Sequence, residues 1–183
     1  PCINLETTTT KRKSCVVSRS FGKRIEKFQE LKEAVTNYCL NASEKIRSES
    51  LVTKAITVFV RTSPFQRNFG YYSNSNTVDF PIATNNSIEI VKAAVSVLEK
   101  IFKNGYQYQK AGVMLMGLSN DDGKKNLFSS ERDEKINSLM RSIDNTNYRY
   151  GRSTLSLASA GVQKKWNMKR EYSSKIDTAD FYC

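Results

Sequence analysis

Apolar residues between positions 24 and 47 recur at steps of three and four: Ile25, Phe28, Leu31, Val35, Tyr38, Cys39, Ala42 and Ile46. Charged residues such as Glu26, Lys27, Glu30, Lys32, Glu33, Glu44 and Lys45 fill the positions between them. That period predicts a helix with one buried face. Residues 53–62 switch to alternation, with Ile56, Val58 and Val60 on one side and Thr57, Phe59 and Arg61 on the other. This is the pattern of a half-buried strand. The later half of Lys11–Ser18 suits a strand as well. Residues 63–75 open with Ser63-Pro64 and are rich in Asn and Ser, so they read as a long loop. A strand over 77–82 places Val78, Phe80 and Ile82 on one face, and Pro81 marks an edge strand or a strand end. Asn86 as a cap, followed by Glu89, opens a second helix that runs to about Lys103 through Ile88, Val91, Val95, Leu98 and Phe102. Asn104-Gly105 ends it. A fourth strand over 106–116 sets Ala111, Val113 and Leu115 against Lys110, Gly112, Met114 and Met116.

The predicted order is β-α-β-β-α-β, an α+β class. Two helices with one apolar face each can cover only one side of a four-stranded sheet, so the other side stays open in a split βαβ, ferredoxin-like arrangement. The open face would carry Ser14, Val16, Ser18, Thr57, Phe59, Arg61, Thr77, Asp79, Lys110 and Met114. After Gly117 the composition changes. A polar loop at 119–126, a helix at 131–144 through Ile136, Leu139, Met140 and Ile143, a short strand from Thr154 to Ala158 and a basic stretch carrying the only Trp make a small α/β extension. The chain thus divides into an extended tether at 1–10, ending in Thr7-Thr8-Thr9-Thr10, a sheet domain at 11–118 and a C-terminal extension at 119–183.

Charge narrows the partners. The 183 residues hold 29 Lys and Arg against 18 Asp and Glu, a net +11, which favours a polyanion: nucleic acid ahead of an anionic membrane. Six cations and no acid lie between Lys11 and Arg24 (Lys11, Arg12, Lys13, Arg19, Lys23 and Arg24). No apolar run approaches the roughly 20 residues that span a bilayer. Cys2, Cys15, Cys39 and Cys183 form no CxxC pair and the chain has no His, which argues against zinc and for reduced thiols in a cytoplasm. The missing His also removes most general-base and nucleophile constellations. No Gly-rich phosphate loop follows a strand, and Asp121-Asp122 reads as a solvated turn rather than a metal site. No catalytic residue and no metal ligand is predicted.

The chemistry that remains is a grip on phosphates. Lys11, Arg12, Lys13 and Arg19 would neutralise backbone charge, with Ser14 and Ser18 adding hydrogen bonds and Thr57, Arg61 and Lys110 extending the contact across the sheet. Phe59 reads either as a base-stacking ring or as packing against a neighbouring strand, and Tyr71-Tyr72 have the same two readings. Two rivals stand beside this one. In a protein-interaction module, the sheet or the Leu127-Phe128 loop would meet a partner. A single-stranded RNA binder would need aromatics on the two central strands, where only Phe59 qualifies.

Val17-Ser18-Arg19-Ser20-Phe21-Gly22 resembles the signature that opens the little-finger domain of UmuC-type, Y-family translesion DNA polymerases. In the same order follow Ala42-Ser43-Glu44-Lys45-Ile46-Arg47, Thr62-Ser63-Pro64-Phe65, Tyr108-Gln109-Lys110-Ala111-Gly112-Val113-Met114-Leu115 and Trp166-Asn167-Met168-Lys169-Arg170-Glu171. The resemblance covers nearly the whole chain. It implies a non-catalytic region of an error-prone polymerase in SOS DNA repair, laid against primer-template duplex. The Mg²⁺-binding palm would lie upstream, and the present fragment would hold no cofactor. It further implies partners: a sliding clamp, a UmuD-type accessory subunit and a RecA-type recombinase. The family's clamp motif, Q-L-x-L-F, matches Lys124-Lys125-Asn126-Leu127-Phe128, where Lys stands for both Gln and Leu. Asn126, Leu127 and Phe128 read as a weakened clamp anchor or as a staple on their own domain. The Trp166 segment reads as docked on the little finger or as a partner contact.

Overall fold

The computed structural model describes residues 12–65, 70–121, 131–164 and 166–168. The elements are β1 (Ser14–Ile25), α1 (Phe28–Ser48), β2 (Leu51–Thr62), β3 (Ser73–Thr84), α2 (Ser87–Ile101), β4 (Tyr108–Met116), β5 (Ser119–Asn120) and α3 (Glu131–Tyr150), followed by a 3-10 turn at Ala158–Ala160. The main sheet runs β1-β4-β2-β3, and every neighbouring pair is antiparallel. The β1-α1-β2 unit therefore straddles β4, and the β3-α2-β4 unit straddles β2, which gives two interleaved split units. α1 packs over β1 and β4, and α2 over β2 and β3. The predicted β-α-β-β-α-β order and the single helical layer are the observed ones.

Alternation decides what faces that layer. Cys15, Val17, Ile56, Val58, Val60, Ala111, Val113 and Leu115 from the strands form one core with Leu31, Val35, Ala42 and Ile46 of α1 and Ile90, Ala94 and Leu98 of α2. Each large aliphatic side chain so buried contributes about 1.5–3 kcal/mol. Cys15 and Cys39 belong to this core as free thiols, and burial pushes both above the usual thiol range. Tyr72 also turns inward. Its hydroxyl donates to the Ile101 carbonyl at 2.6 Å and its ring meets Tyr106 and Tyr108, so it is a core closure and not a stacking platform. Asn86 caps α2 as expected, accepting from the Ile88 amide at 2.9 Å. Glu89 instead accepts from the Thr84 hydroxyl at 2.7 Å. Asn86→Ala is expected to cost about 1 kcal/mol, read as a lower urea midpoint at unchanged slope.

Five elements depart from the sequence expectation. β1 extends to Ile25, and α1 starts only at Phe28. Ser20 pairs with Lys110 and Ile25 with Tyr108, so Phe21, Gly22, Lys23 and Arg24 bulge opposite the single residue Gln109. The bulge returns Ile25 inward three residues before Phe28, which imitates a helical step. β3 begins at Ser73 instead of 77. Its first residues are polar on both faces, as suits an edge. There Asn74 and Asn76 accept from the following backbone amides, each at 2.8 Å, which occupies donors that could template another strand. α3 runs on to Tyr150, past the predicted end at 144. No strand forms at 154–158; the Thr154 hydroxyl instead caps the end of α3 on the Gly151 carbonyl at 2.8 Å.

The C-terminal extension lies on the outer side of α1. Arg47 of α1 grips Asp144 of α3 through Nε at 2.7 Å and Nη2 at 2.8 Å. Asn147 holds the returning chain through both the amide and the carbonyl of Leu155. Asn37 of α1 donates to the Ala160 carbonyl at 2.6 Å. The path ends at Trp166, which is 5% exposed and packs edge-on against Phe21 and Tyr38 with centroids 6.1 and 5.9 Å away. Of the two readings of this tryptophan, docking on its own domain is the observed one.

Candidate nucleic-acid interface

The strand registers assemble the open face into four cross-sheet rows. Ser14, Met116, Ala55 and Asp79 form the first; Val16, Met114, Thr57 and Thr77 the second. Ser18, Gly112, Phe59 and Ser75 form the third, and Ser20, Lys110, Arg61 and Ser73 the fourth. At about 3.3 Å per residue and 4.8 Å per strand the platform measures roughly 20 by 14 Å. No other part of the described chain covers it: Val16 is 51% exposed, and Arg61, Ser20 and Thr77 are exposed.

The surface is kept low. A Cβ on Gly112 would collide with the Phe59 ring and the Ser18 Cβ, so the ring lies flat across β4 in the space that glycine leaves. That geometry decides between the two readings of Phe59 in favour of packing. Thr57 and Thr77 join hydroxyls at 2.7 Å across the strands. Small hydroxyl residues, a recumbent ring and two thioethers make a smooth, weakly apolar floor.

Charge collects at one end. Arg61 and Lys110 are directly opposite each other on neighbouring strands. Like charges so placed are destabilising. Neither side chain forms a hydrogen bond or ion pair among the described residues. Asp79, the one acid on this face, sits in the corner six residues along β3 from the strand end that faces Arg61.

The expected site residues divide accordingly. Ser14, Ser18, Thr57, Arg61 and Lys110 share the open face. Arg12 is turned to the end of α1, where it pairs with Glu49 at 3.2 Å. Lys13 precedes β1 in a bend, and its carbonyl meets the Leu118 amide at 3.5 Å. Arg19 is exposed but has the parity of Val17, which places it on the helix side of the sheet edge, beside Tyr38. There burial raises the Tyr38 phenol and the Arg19 charge opposes that rise. Alternation from the buried Val17 was the signal that separates Arg19 from Ser18. Ser20 and Met116 join the face through the β1–β4 register, and Ser73 and Ser75, in a stretch that read as loop, belong to it as well. Lys11, Asn126, Leu127 and Phe128 lie outside the described residues.

No cluster of three or more His, Cys, Asp or Glu side chains that could hold a metal occurs among the described residues. Asp121 accepts from the Asn85 amide at 3.3 Å. No helix among them is long and apolar enough to cross a membrane.

An open-faced antiparallel sheet backed by one helical layer, with Arg61 and Lys110 together on the open side, defines an α+β domain of the split βαβ class. Residues 12–127 match the C-terminal domain of the impB/mucB/samB family, and residues 137–182 match a domain of unknown function. UmuC of Salmonella typhimurium is 40% identical over 173 residues, covering 93% of this chain and 41% of that protein. MucB of Escherichia coli is 35% identical over 181 residues, covering 98% of this chain and 43% of that protein. A solved structure of the little finger domain of PolIV, in complex with the beta-clamp processivity factor, aligns with a TM-score of 0.41 at 12% identity over 64% of this chain and 99% of that one. The chain belongs to the impB/mucB/samB family and matches its C-terminal domain. It spans only about two-fifths of the length of these relatives, at 41–43%.

Proposed function

We propose that this chain is the non-catalytic DNA grip of an error-prone translesion polymerase. It acts in the cytoplasm during SOS repair and rests its open sheet face on primer-template duplex. One observation carries the reading: Arg61 and Lys110 are set side by side with no counter-charge among the described residues. The fold bears that repulsion, and a phosphate seated between the two guanidinium and ammonium groups would relieve it. The floor beside them is flat and short-chained, suited to a sugar-phosphate backbone. It presents no row of long side chains to read base edges, so contacts fix position and not sequence.

The test is a salt titration of binding to primer-template duplexes of unrelated sequence. Arg61→Ala and Lys110→Ala should each weaken all duplexes alike and each reduce the log-log salt slope by about one. Unchanged affinity and slope in both variants, or loss confined to one sequence, defeats the reading.

A further inference from the structure

We propose that Phe21, Gly22 and Tyr38 form a built socket whose occupant is this chain's own Trp166 segment, and that this docking holds the basic bulge of β1 in the shape that meets phosphate. The second half rests on the duplex-binding reading above; the first does not.

The bulge has lost its ladder. Between Ser20 and Ile25, β1 has no register with β4, so the sheet does not fix Phe21, Gly22, Lys23 and Arg24. The tail supplies what the ladder lacks. The Gly22 amide donates to the Trp166 carbonyl at 3.0 Å, and the indole meets Phe21 and Tyr38 edge-on. Gly22 is shaped for this contact. A Cβ there would stand 2.8 Å from the Asn167 carbonyl oxygen and 3.0 Å from the Met168 Cα. The segment is delivered by a strap already anchored on α1, through Asn37 to the Ala160 carbonyl and by the close approach of Gly161 to the Glu33 side chain.

What the socket positions is charge. Arg19, Lys23 and Arg24 are all exposed and lie in or next to the bulge, with no acid among residues 19–24. Parity in β1 keeps Arg19 off the open face, and the bulge decides where Lys23 and Arg24 stand relative to it. The contact itself is loose in one respect. The Trp166 indole nitrogen and the Tyr38 hydroxyl are buried without hydrogen-bond partners, so packing alone holds the indole, and a methyl on Gly22 would act on it by pushing back the Asn167–Met168 backbone.

Trp166 is the only tryptophan of the chain, so its emission reports docking directly. Gly22→Ala in the full chain adds that methyl and leaves the indole and every cation in place. Its Trp emission should shift to the red and become accessible to acrylamide. Duplex affinity should fall about fivefold with a shallower salt slope, as expected when backbone contacts are lost. Trp166→Phe keeps a ring in the socket and should bind duplex as the wild type does, while Trp166→Ala should behave like Gly22→Ala. An indole that stays blue-shifted and protected in Gly22→Ala overturns the socket. An exposed indole with unchanged affinity and slope overturns the positioning role. A wild-type chain without salt-dependent duplex binding overturns the functional reading and the coupling together, while the emission still decides the docking.

Discussion

Arg47→Ala is expected to lower the unfolding free energy by about 3 kcal/mol, at the low end for breaking a buried ion pair. The side chain is only 12% exposed and its partner Asp144 26%. The guanidinium makes four bonds: two to Asp144, one to the Asn85 carbonyl at 2.8 Å and one to the Ser87 hydroxyl at 2.7 Å. Ser87 in turn meets the Ser43 hydroxyl at 2.7 Å. One side chain therefore ties the end of α1 to the start of α2 and to α3. Truncation leaves a carboxylate, a carbonyl and a hydroxyl partly desolvated with no donor, and such stranded groups cost more than the bond itself contributes. Lys cannot replace it, because a point charge does not reproduce the planar fork. Asp144→Asn should cost less, about 1 kcal/mol, since an amide oxygen still accepts. Pairing Arg47→Met with Asp144→Leu should recover much of the loss, giving a coupling above about 1 kcal/mol in a double-mutant cycle. Urea unfolding of the wild type, Arg47→Met, Asp144→Leu and the double variant measures it. A cost below that of Asp144→Asn would mean that the α3 contact is a surface pair and that the extension is not anchored there.

Arg47 also shows what the sequence could and could not reveal. Its segment, Ala42–Arg47, carried part of the family resemblance, yet nothing in local spacing pairs residue 47 with residue 144. Elements whose side chains answer to one buried face were legible from periodicity: α1, α2, β2 and β4 lie where alternation and three-four steps place them. The failures occur where a second constraint overrides the period. In β1 a bulge stretches the interval between Val17 and Ile25, so its last residue counted as helix. In β3 the first four residues are all polar, even Asn74 and Asn76, which pair with Val60 and Val58 on the covered side, so the stretch carries no alternation and read as loop. Parity in β1 was legible and points Arg19 away from the open face, though charge clustering along the sequence grouped it with Ser18. The candidate face was therefore predictable as a set of alternating positions, and Arg61, Lys110, Thr57, Ser14 and Ser18 fell on it. Its concentration of charge at one end was not, because that depends on the β2–β4 register, which no local pattern specifies.

Gly112→Val sets two physical effects of opposite sign against each other on that face. Strand propensity favours the substitution, since Val suits a central strand and Gly does not, by up to about 1 kcal/mol. Packing opposes it. The new Cβ would overlap the Phe59 ring on one side and the Ser18 Cβ on the other. The ring can rotate away, but the Ser18 Cβ is fixed to the backbone of β1, so β1 and β4 must separate or the valine must adopt a strained rotamer. Overpacking of this kind costs about 1–3 kcal/mol, and with backbone as the obstacle it should win, for a net loss of about 2 kcal/mol. Displaced, the Phe59 ring stands up from the platform and breaks the flat floor between Thr57 and Arg61. Duplex affinity should then fall even at temperatures where the variant is fully folded. Combining Gly112→Val with Phe59→Ala separates the two obstacles: stability should recover only in part, because Ser18 remains, whereas duplex affinity should recover further, because nothing then projects from the face. A Gly112→Val chain that is more stable than wild type and binds duplex equally well would show that Phe59 does not lie across the sheet, and the smooth floor on which backbone gripping depends would be lost with it.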